Sequence, residues 1–343
     1  MLDQPDVIAR YDKSDALGII ARLPGQLSYS YPVPDGIAGI TGITAIVLTG
    51  MGGSAQGAEF INNWLSDRLP IPVIIVRDYE IPAFIGPDTL ILASSYSGNT
   101  EEALAAIDHA ADKKAHIVVI TSGGKLLDLA KERNYPLYVV PSGFQPRFAV
   151  LYDVRAIASV IQALGLAGSI LDELEASGIW LEGQLGAWAP AVATIDNPAK
   201  KIAEQLVGHP VVVYAGPSLK FAAMKWKIAF NENAKNIAFY NYLPEMDHNE
   251  FIGWENPKRS GLKVIELLSD LDNPQVVKRF EISNRLLSEY FEPIKVYADG
   301  DTRLRQLVWT IGMGEYVATY LAFLNGIDPT PVDLVEKLKA QLQ

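Results

Sequence analysis

At 343 residues, with 49% hydrophobic and 20% charged residues, the chain has the composition of a globular protein long enough for two domains with separate cores. The absence of cysteine excludes disulfides, a thiolate nucleophile and cysteine metal sites, and it fits a reducing cytoplasm as the expected location. A net charge of −11 repels nucleic acid and anionic membranes, so an anionic ligand must be captured locally by N–H groups or a few cations. Met1–Asp15 opens with acidic and polar residues, and no secretory signal is expected. Apolar stretches such as Ile43–Leu48 and Val211–Tyr214 fall far short of the roughly 20 residues that span a bilayer, so no membrane partner is expected either.

In chain order, the continuous apolar run Ala45–Thr49 predicts a buried strand that breaks at Gly50–Gly53, and a helix is predicted beyond it with Ser54 near the N-cap. Short apolar runs follow at Val73–Val76, Leu90–Ala93, Ile117–Ile120 and Leu137–Val140, with helical spacing between several of them, notably over Thr100–Ala111. This alternation predicts a parallel sheet covered on both faces. The second half repeats the opening: Val211–Ala215 leads into Gly216–Ser218 and a helix over Leu219–Asn231. Further strands are predicted at Lys263–Leu268 and Ile294–Tyr297, and closing helices at Leu304–Leu324 and Val332–Leu342. Gly165–Pro190, rich in Gly, Ala and Trp, has no strand pattern. The fold class is therefore α/β, a duplicated parallel-sheet domain with a C-terminal helical segment. The expected boundaries are 1–165 for the first domain with its N-terminal extension, 166–189 for the connection and 190–343 for the second domain.

Two turns hold candidate chemistry. Gly50–Gly57 follows a strand and opens a helix, where free N–H groups and the helix dipole favour an anion, and Gly52, Gly53 and Ser54 are its candidate phosphate ligands. The spacing of Gly50, Gly52 and Ala55, with Asp78 after the next strand, also fits a relaxed dinucleotide fingerprint, so this turn alone leaves both ligands open. Ser94–Thr100 carries hydroxyls at Ser94, Ser95, Ser97 and Thr100 just before a helix, suited to a phosphomonoester and superfluous in a dinucleotide site. No nucleotide-hydrolysing P-loop sequence is present, and no histidine pair has metal-ligand spacing, so neither a metal nor a redox cofactor is expected.

Six separated motifs, in order along nearly the whole chain, resemble the bifunctional phosphoglucose/phosphomannose isomerases of the sugar isomerase domain superfamily. They are Gly52–Ser54, Ser95–Thr100, Gln145–Arg147, Asn231–Lys235, Pro244–Glu250 and Asp328–Lys337. The resemblance implies tandem sugar isomerase domains, a phosphosugar substrate and a cis-enediol mechanism without a cofactor. By the same resemblance Glu232 is the proton-transferring base, His248 opens the sugar ring, Arg147 faces the enediolate, Lys337 assists ring opening and Thr330 faces the substrate. A homodimer in which His248 crosses into the neighbouring subunit's site is implied as well. Taken as residues, these roles are chemically apt: a partly buried carboxylate can be tuned for proton transfer, a histidine titrates near neutrality, and an arginine is a permanent cation. Glu232 with Lys235, and Glu336, Lys337 and Lys339, fit equally well as solvated helix faces at this level. Ala55–Phe60 and Phe148–Leu151 depart from the common family wording and leave pocket shape and sugar preference open. The alternatives are a non-catalytic phosphosugar-binding regulatory protein, a nicotinamide oxidoreductase resting on the first turn, and an amino-sugar phosphate isomerase, which would lack here its glutaminase half.

Overall fold

A computed structural model describes residues 1–255 and 261–342, and the chain forms two compact units. One is Leu23–Ile179; the other combines Met1–Arg22 with Trp180 to the C-terminal end.

In Leu23–Ile179 the apolar runs form five parallel strands: β1 (Ala45–Thr49), β2 (Val73–Val76), β3 (Thr89–Ser95), β4 (His116–Thr121) and β5 (Leu137–Val139). Their order is β2-β1-β3-β4-β5. The central strands β1 and β3 are buried at every position, which is why they read as unbroken apolar runs instead of alternating. The register sets Val47 beside Ile91 and Ile91 beside Ile117, so these side chains join one core layer with Ile107 and Leu126 of the covering helices. Strand β1 leads to β2 on one side and onward to β3 on the other. The order in which strands are added thus switches sides between β1 and β3, and the crevice at the carboxyl ends of these parallel neighbours is where open α/β sheets receive ligands.

The other unit repeats the plan with four parallel strands, β6 (Val211–Ala215), β7 (Ala238–Tyr242), β8 (Lys263–Leu268) and β9 (Ile294–Tyr297), in the order β7-β6-β8-β9. Strand β7 was not legible as a strand. The closing helices are Arg303–Leu324 and Asp333–Leu342. Arg303–Leu324 is long and apolar enough to cross a membrane by length and composition, which corrects the expectation that every apolar stretch is short, but 89% of its apolar window is buried inside the unit. It packs against Pro198–Leu206 and Lys220–Glu232 and is the unit's central helix.

Met1–Arg22, read from the sequence as an extension of the first domain, belongs to this second unit. The anchor is Lys200, whose side chain is fully buried. Its ammonium donates to the carbonyls of Leu2 (3.1 Å), Pro190 (2.9 Å) and Val192 (2.8 Å) and pairs with Asp3 at 3.0 Å. A buried ammonium is tolerated only when its donors are met in this way, and the hydrogen bond from Lys200 holds the Asp3 carboxyl below the usual carboxylate range. The segment expected to connect the domains holds a helix, Ile170–Leu185.

Candidate active site

The two hydroxyl-bearing turns of Leu23–Ile179 meet at the carboxyl ends of β1 and β3. The helix after β1 is Gly53–Leu65, with Gly52 at its N-cap position at φ +52°. Ser54 therefore lies in the first turn, near the N-cap as expected, with Gly52 in the cap position itself. The Ser54 hydroxyl accepts the N–H of Tyr96 at 2.9 Å, tying the first turn to the second and keeping its own proton to donate. Gly53 is required by close approach, because a Cβ there would lie 2.9 Å from Pro146, beside Arg147.

In the second turn Ser95 and Thr100 share a hydrogen bond of 2.7 Å, and the Gly98 N–H donates to Ser95 Oγ at 3.1 Å. Thr100 stands at the N-cap of Glu101–Asp112 without capping it through its side chain. Its hydroxyl is therefore not spent on capping the helix. Gly98 has φ +69° and touches the next loop so closely that a Cβ would fall 1.7 Å from Gly123 O, so only glycine fits. Ser97 is exposed and accepts from the Asn99 N–H at 3.3 Å. Tyr96, not singled out in the sequence, is the pin of this region: its phenol donates to Pro141 O at 3.0 Å and accepts from Phe144 N–H at 2.9 Å. That places the loop before Arg147 against the hydroxyl turn.

Arg147 lies in a single 3-10 turn, Pro146–Phe148, ahead of the helix Val150–Ala163. It is 2% exposed, with its guanidinium 4.8 Å from the Phe148 ring. Arg147 is thus a buried cation and not a surface one. Gly52, Gly53, Ser54, Ser95, Ser97, Thr100 and Arg147 are all carried by adjoining segments of one unit, whereas Asp78, the acidic residue of the dinucleotide alternative, is exposed and accepts from its neighbour Tyr79 N–H at 2.7 Å.

The remaining candidates belong to the other unit. Glu232 is the last residue of the helix Lys220–Glu232 and is half-buried. Every neighbour in Asn231–Lys235 is fastened. Asn231 Oδ1 accepts the N–H of Ala238 at the start of β7 (2.9 Å), and the Asn233 amide donates to Glu315 (2.9 Å), itself ion-paired with Lys225 at 2.6 Å in a nearly dry interior. Asn325 reaches Ala234 O at 3.4 Å. Glu315 was not legible as a partner, because it lies far along the chain in Arg303–Leu324. Lys235 bonds carbonyl oxygens, including that of Glu232 at 2.9 Å, so Glu232 and Lys235 are not the simple solvated side-chain pair considered from their spacing. Thr330 is held close by in sequence terms by its N–H to Asp328 Oδ1 at 2.9 Å.

In Pro244–Glu250 the acids are fasteners and the histidine is presented. Asp247 pairs with Arg279 at 2.9 Å, and Glu250 accepts from the Tyr214 hydroxyl and from Asn241 at 2.7 Å. His248 and Asn249 remain exposed. Lys337 is exposed on Asp333–Leu342, a helix whose Leu334 and Leu338 are 82% and 59% exposed. These two candidates sit on elements separate from Glu232.

The duplicated turn of the second unit has lost its anion-binding capacity. At Gly216–Ser218 the Ser218 N–H donates to Asp272 Oδ1 at 2.8 Å, and a Cβ on Gly216 would lie 1.9 Å from the same carboxylate. An internal carboxylate thus takes the place a phosphate would need. Beside it a cavity of about 250 Å³ is lined by Asp270, Asp272, Glu281, Lys295 and Tyr297; its carboxylates outnumber its one ammonium, and it repels a phosphosugar. Among the described residues no group of three or more His, Asp or Glu side chains is arranged to hold a metal.

Fold and turns define a protein built from two SIS domains, and family models agree: the SIS domain matches residues 40–165 and the bacterial phospho-glucose isomerase C-terminal SIS domain matches 195–342. The bifunctional phosphoglucose/phosphomannose isomerase of Caldicellulosiruptor bescii is 35% identical over 330 residues, covering 94% of this chain and 97% of its own. That of Aquifex aeolicus is 34% identical over 307 residues, covering 89% and 92%. The chain belongs to the bifunctional phosphoglucose/phosphomannose isomerase family. Solved structures share the fold: a glucose-6-phosphate isomerase like protein from Thermus thermophilus aligns over 97% of this chain and 99% of its own with a TM-score of 0.66 at 18% identity. The C-terminal domain of glucosamine-fructose-6-phosphate aminotransferase from Francisella tularensis aligns over 92% and 98% with a TM-score of 0.70 at 11% identity.

Proposed function

We propose that the protein is an aldose–ketose isomerase interconverting glucose 6-phosphate or mannose 6-phosphate with fructose 6-phosphate through a cis-enediol. The observation that carries this is the 35% identity, over almost the full length of both chains, to a relative named for both isomerisations. The site geometry supports it. The hydroxyls of Ser54, Ser95 and Thr100 and the N–H groups of Gly52–Ser54 form the grip for the phosphate, in the crevice where the sheet reverses. A regulatory binding protein would need that grip but not a carboxylate whose helix end is fastened residue by residue.

In this assignment His248 and Lys337 move protons at the ring oxygen and the anomeric hydroxyl, giving the open chain. Glu232 takes the proton from C2 of the aldose; the C2–H electron pair forms the C1–C2 double bond as the C1–O1 π pair moves onto O1, which takes a proton from solvent to give the enediol. Glu232 then returns its proton to the C1–C2 π pair at C1, while O2–H gives its proton to solvent and its electron pair forms the ketone carbonyl. Arg147 holds the negative oxygen that develops between these steps, a charge a buried guanidinium stabilises more strongly than water does. Loss of C2 configuration in the planar enediol explains how one base serves both epimers, with Thr330 shaping the space around C2. The working form is a homodimer in which His248 reaches the neighbouring subunit's site. Consistent with this, His248 is exposed, Ile252 is 64% exposed, and Ile237 and Phe239, just before and within the edge strand β7, are 65% and 57% exposed, apolar surface available for association.

The test is incubation with fructose 6-phosphate and identification of every aldose formed. Both aldose 6-phosphates are expected, and Glu232→Gln should lower turnover at least about 1,000-fold while phosphosugar binding persists. Near wild-type turnover in that variant would remove Glu232 as the base, and no aldose from the wild type would refute the activity.

A further inference from the structure

Lys235 has a geometry that a solvated helix residue would not need. Its backbone is left-handed, φ +49°, a conformation a lysine keeps only where its surroundings hold it. Its ammonium has three protons, and three carbonyl oxygens lie within 3.1 Å: Glu232 at 2.9 Å, Pro329 at 3.0 Å and Asp328 at 3.1 Å. The Asn233 carbonyl is further away at 3.5 Å. Glu232 closes one helix, and Asp328 and Pro329 belong to the loop that delivers Thr330, whose N–H is in turn bonded to the Asp328 carboxylate at 2.9 Å. One cation therefore joins two chain segments about a hundred residues apart in sequence. It also meets the orphan carbonyls at the negative end of the Lys220–Glu232 helix, where a cation is favourable.

We infer that Lys235 is a positioning residue that fixes the base, Glu232, relative to the Thr330 loop and thereby sets the ratio in which the two C2 epimers form. The inference rests on the proposed isomerase reaction with Glu232 as base. In a planar enediol, the face that receives the proton depends on where the carboxylate stands relative to C2 and to the wall beside it. A carboxylate displaced by a fraction of an ångström from its acceptor loses rate steeply, while the hold on phosphate, made by other residues, is unaffected. Without the ammonium the helix end and the Thr330 loop move independently, so both the rate and the facial preference change.

The experiment measures initial rates of glucose 6-phosphate and mannose 6-phosphate formation from fructose 6-phosphate in wild type, Lys235→Met, Lys235→Arg and Glu232→Gln. For Lys235→Met the summed kcat should fall about 10- to 100-fold with KM changed by no more than about threefold, and the mannose-to-glucose product ratio should shift at least about threefold. Lys235→Arg, which keeps a cation, should recover part of the rate. The ratio discriminates, because a misfolded fraction lowers both products equally and leaves it unchanged. A wild-type rate, or a reduced rate with the wild-type ratio, overturns the positioning role while leaving Glu232 as base. Wild-type turnover in Glu232→Gln overturns both.

Discussion

Asp153 shows how far burial can outweigh residue type. It stands in the first turn of Val150–Ala163, where an acid normally gains from the helix dipole, yet it is 2% exposed and burial pushes its carboxyl well above the usual range. Its charge would in turn burden the Tyr31 and Tyr96 phenols, whose own pKa values it helps to raise. The sign of the effect follows. Above the unfolded value of about 3.9 the unfolded carboxyl loses its proton while the folded one keeps it, so this group makes stability fall as pH rises until the raised folded value is passed. Asp153→Asn removes that slope. Thermal melts should place the variant further above, or less far below, wild type at pH 8 than at pH 5; a gap equal at both pH values would mean that folding does not shift this carboxyl. None of this is legible in the sequence, where an acid near a helix start reads as ordinary. By contrast Gly98, Ser95 and Thr100 were legible as a cluster, because hydroxyls and glycine concentrated after an apolar run have few other uses. What the sequence withheld was the pairing itself, since Ser54 bonds Tyr96 through tertiary contact and the Ser95–Thr100 bond depends on how the turn folds back on itself.

At the scale of elements, strands buried on both faces announce themselves as apolar runs, and so do the edge strands β2, β5 and β9, whereas the edge strand β7 does not. Strands β1, β3, β6 and β8 are near-continuous apolar runs. Strand β7, with Ala238, Tyr240 and Asn241 around an exposed Phe239, has neither a continuous run nor an apolar alternation, and its pairing with β6 is what makes it a strand. The long helix Arg303–Leu324 was legible because it is apolar on nearly every side, but its partner was not. Gly314 is where that partner comes closest: a Cβ there would lie 2.3 Å from Nε1 of Trp226, a fully buried ring that donates to Thr310 O at 2.7 Å. Two effects oppose each other in Gly314→Ala. Helix propensity favours alanine by about 1 kcal/mol. The forced displacement of a buried indole costs about 1–3 kcal/mol as overpacking, and loss of its hydrogen bond leaves a buried donor unmet at about 1–3 kcal/mol more. The clash should win, lowering Tm by several degrees; a raised Tm in differential scanning calorimetry would show that the helices part at little cost.

At the scale of the whole molecule, duplication was legible from two Gly-x-Ser turns half a chain apart, but the divergence between the copies was not, since Asp272 closes the second turn from a different loop. Nor could sequence adjacency reveal that Met1–Arg22 belongs with the distant Lys200. The proposed homodimer is likewise a property no single chain displays, and it has a quantitative consequence. Let one subunit carry Glu232→Gln and its partner His248→Ala, each inactive alone. If His248 crosses the two-fold interface, one site of the hybrid combines both lesions, while the other combines an intact Glu232 with the neighbour's intact His248 and works fully. Random reassortment of equal amounts makes half the dimers hybrids, so the mixture should recover about one quarter of wild-type activity. If each site is made by one chain, every site in the mixture carries one lesion and nothing is recovered. The hybrid must be verified, by a tag on one variant and mass measurement of the purified heterodimer, so that failure to exchange is not mistaken for a site made by one chain. With pure heterodimer in hand the expectation rises to about one half of wild type, from one restored site in two, and activity at the level of the inactive parents would place His248 in the same subunit's site.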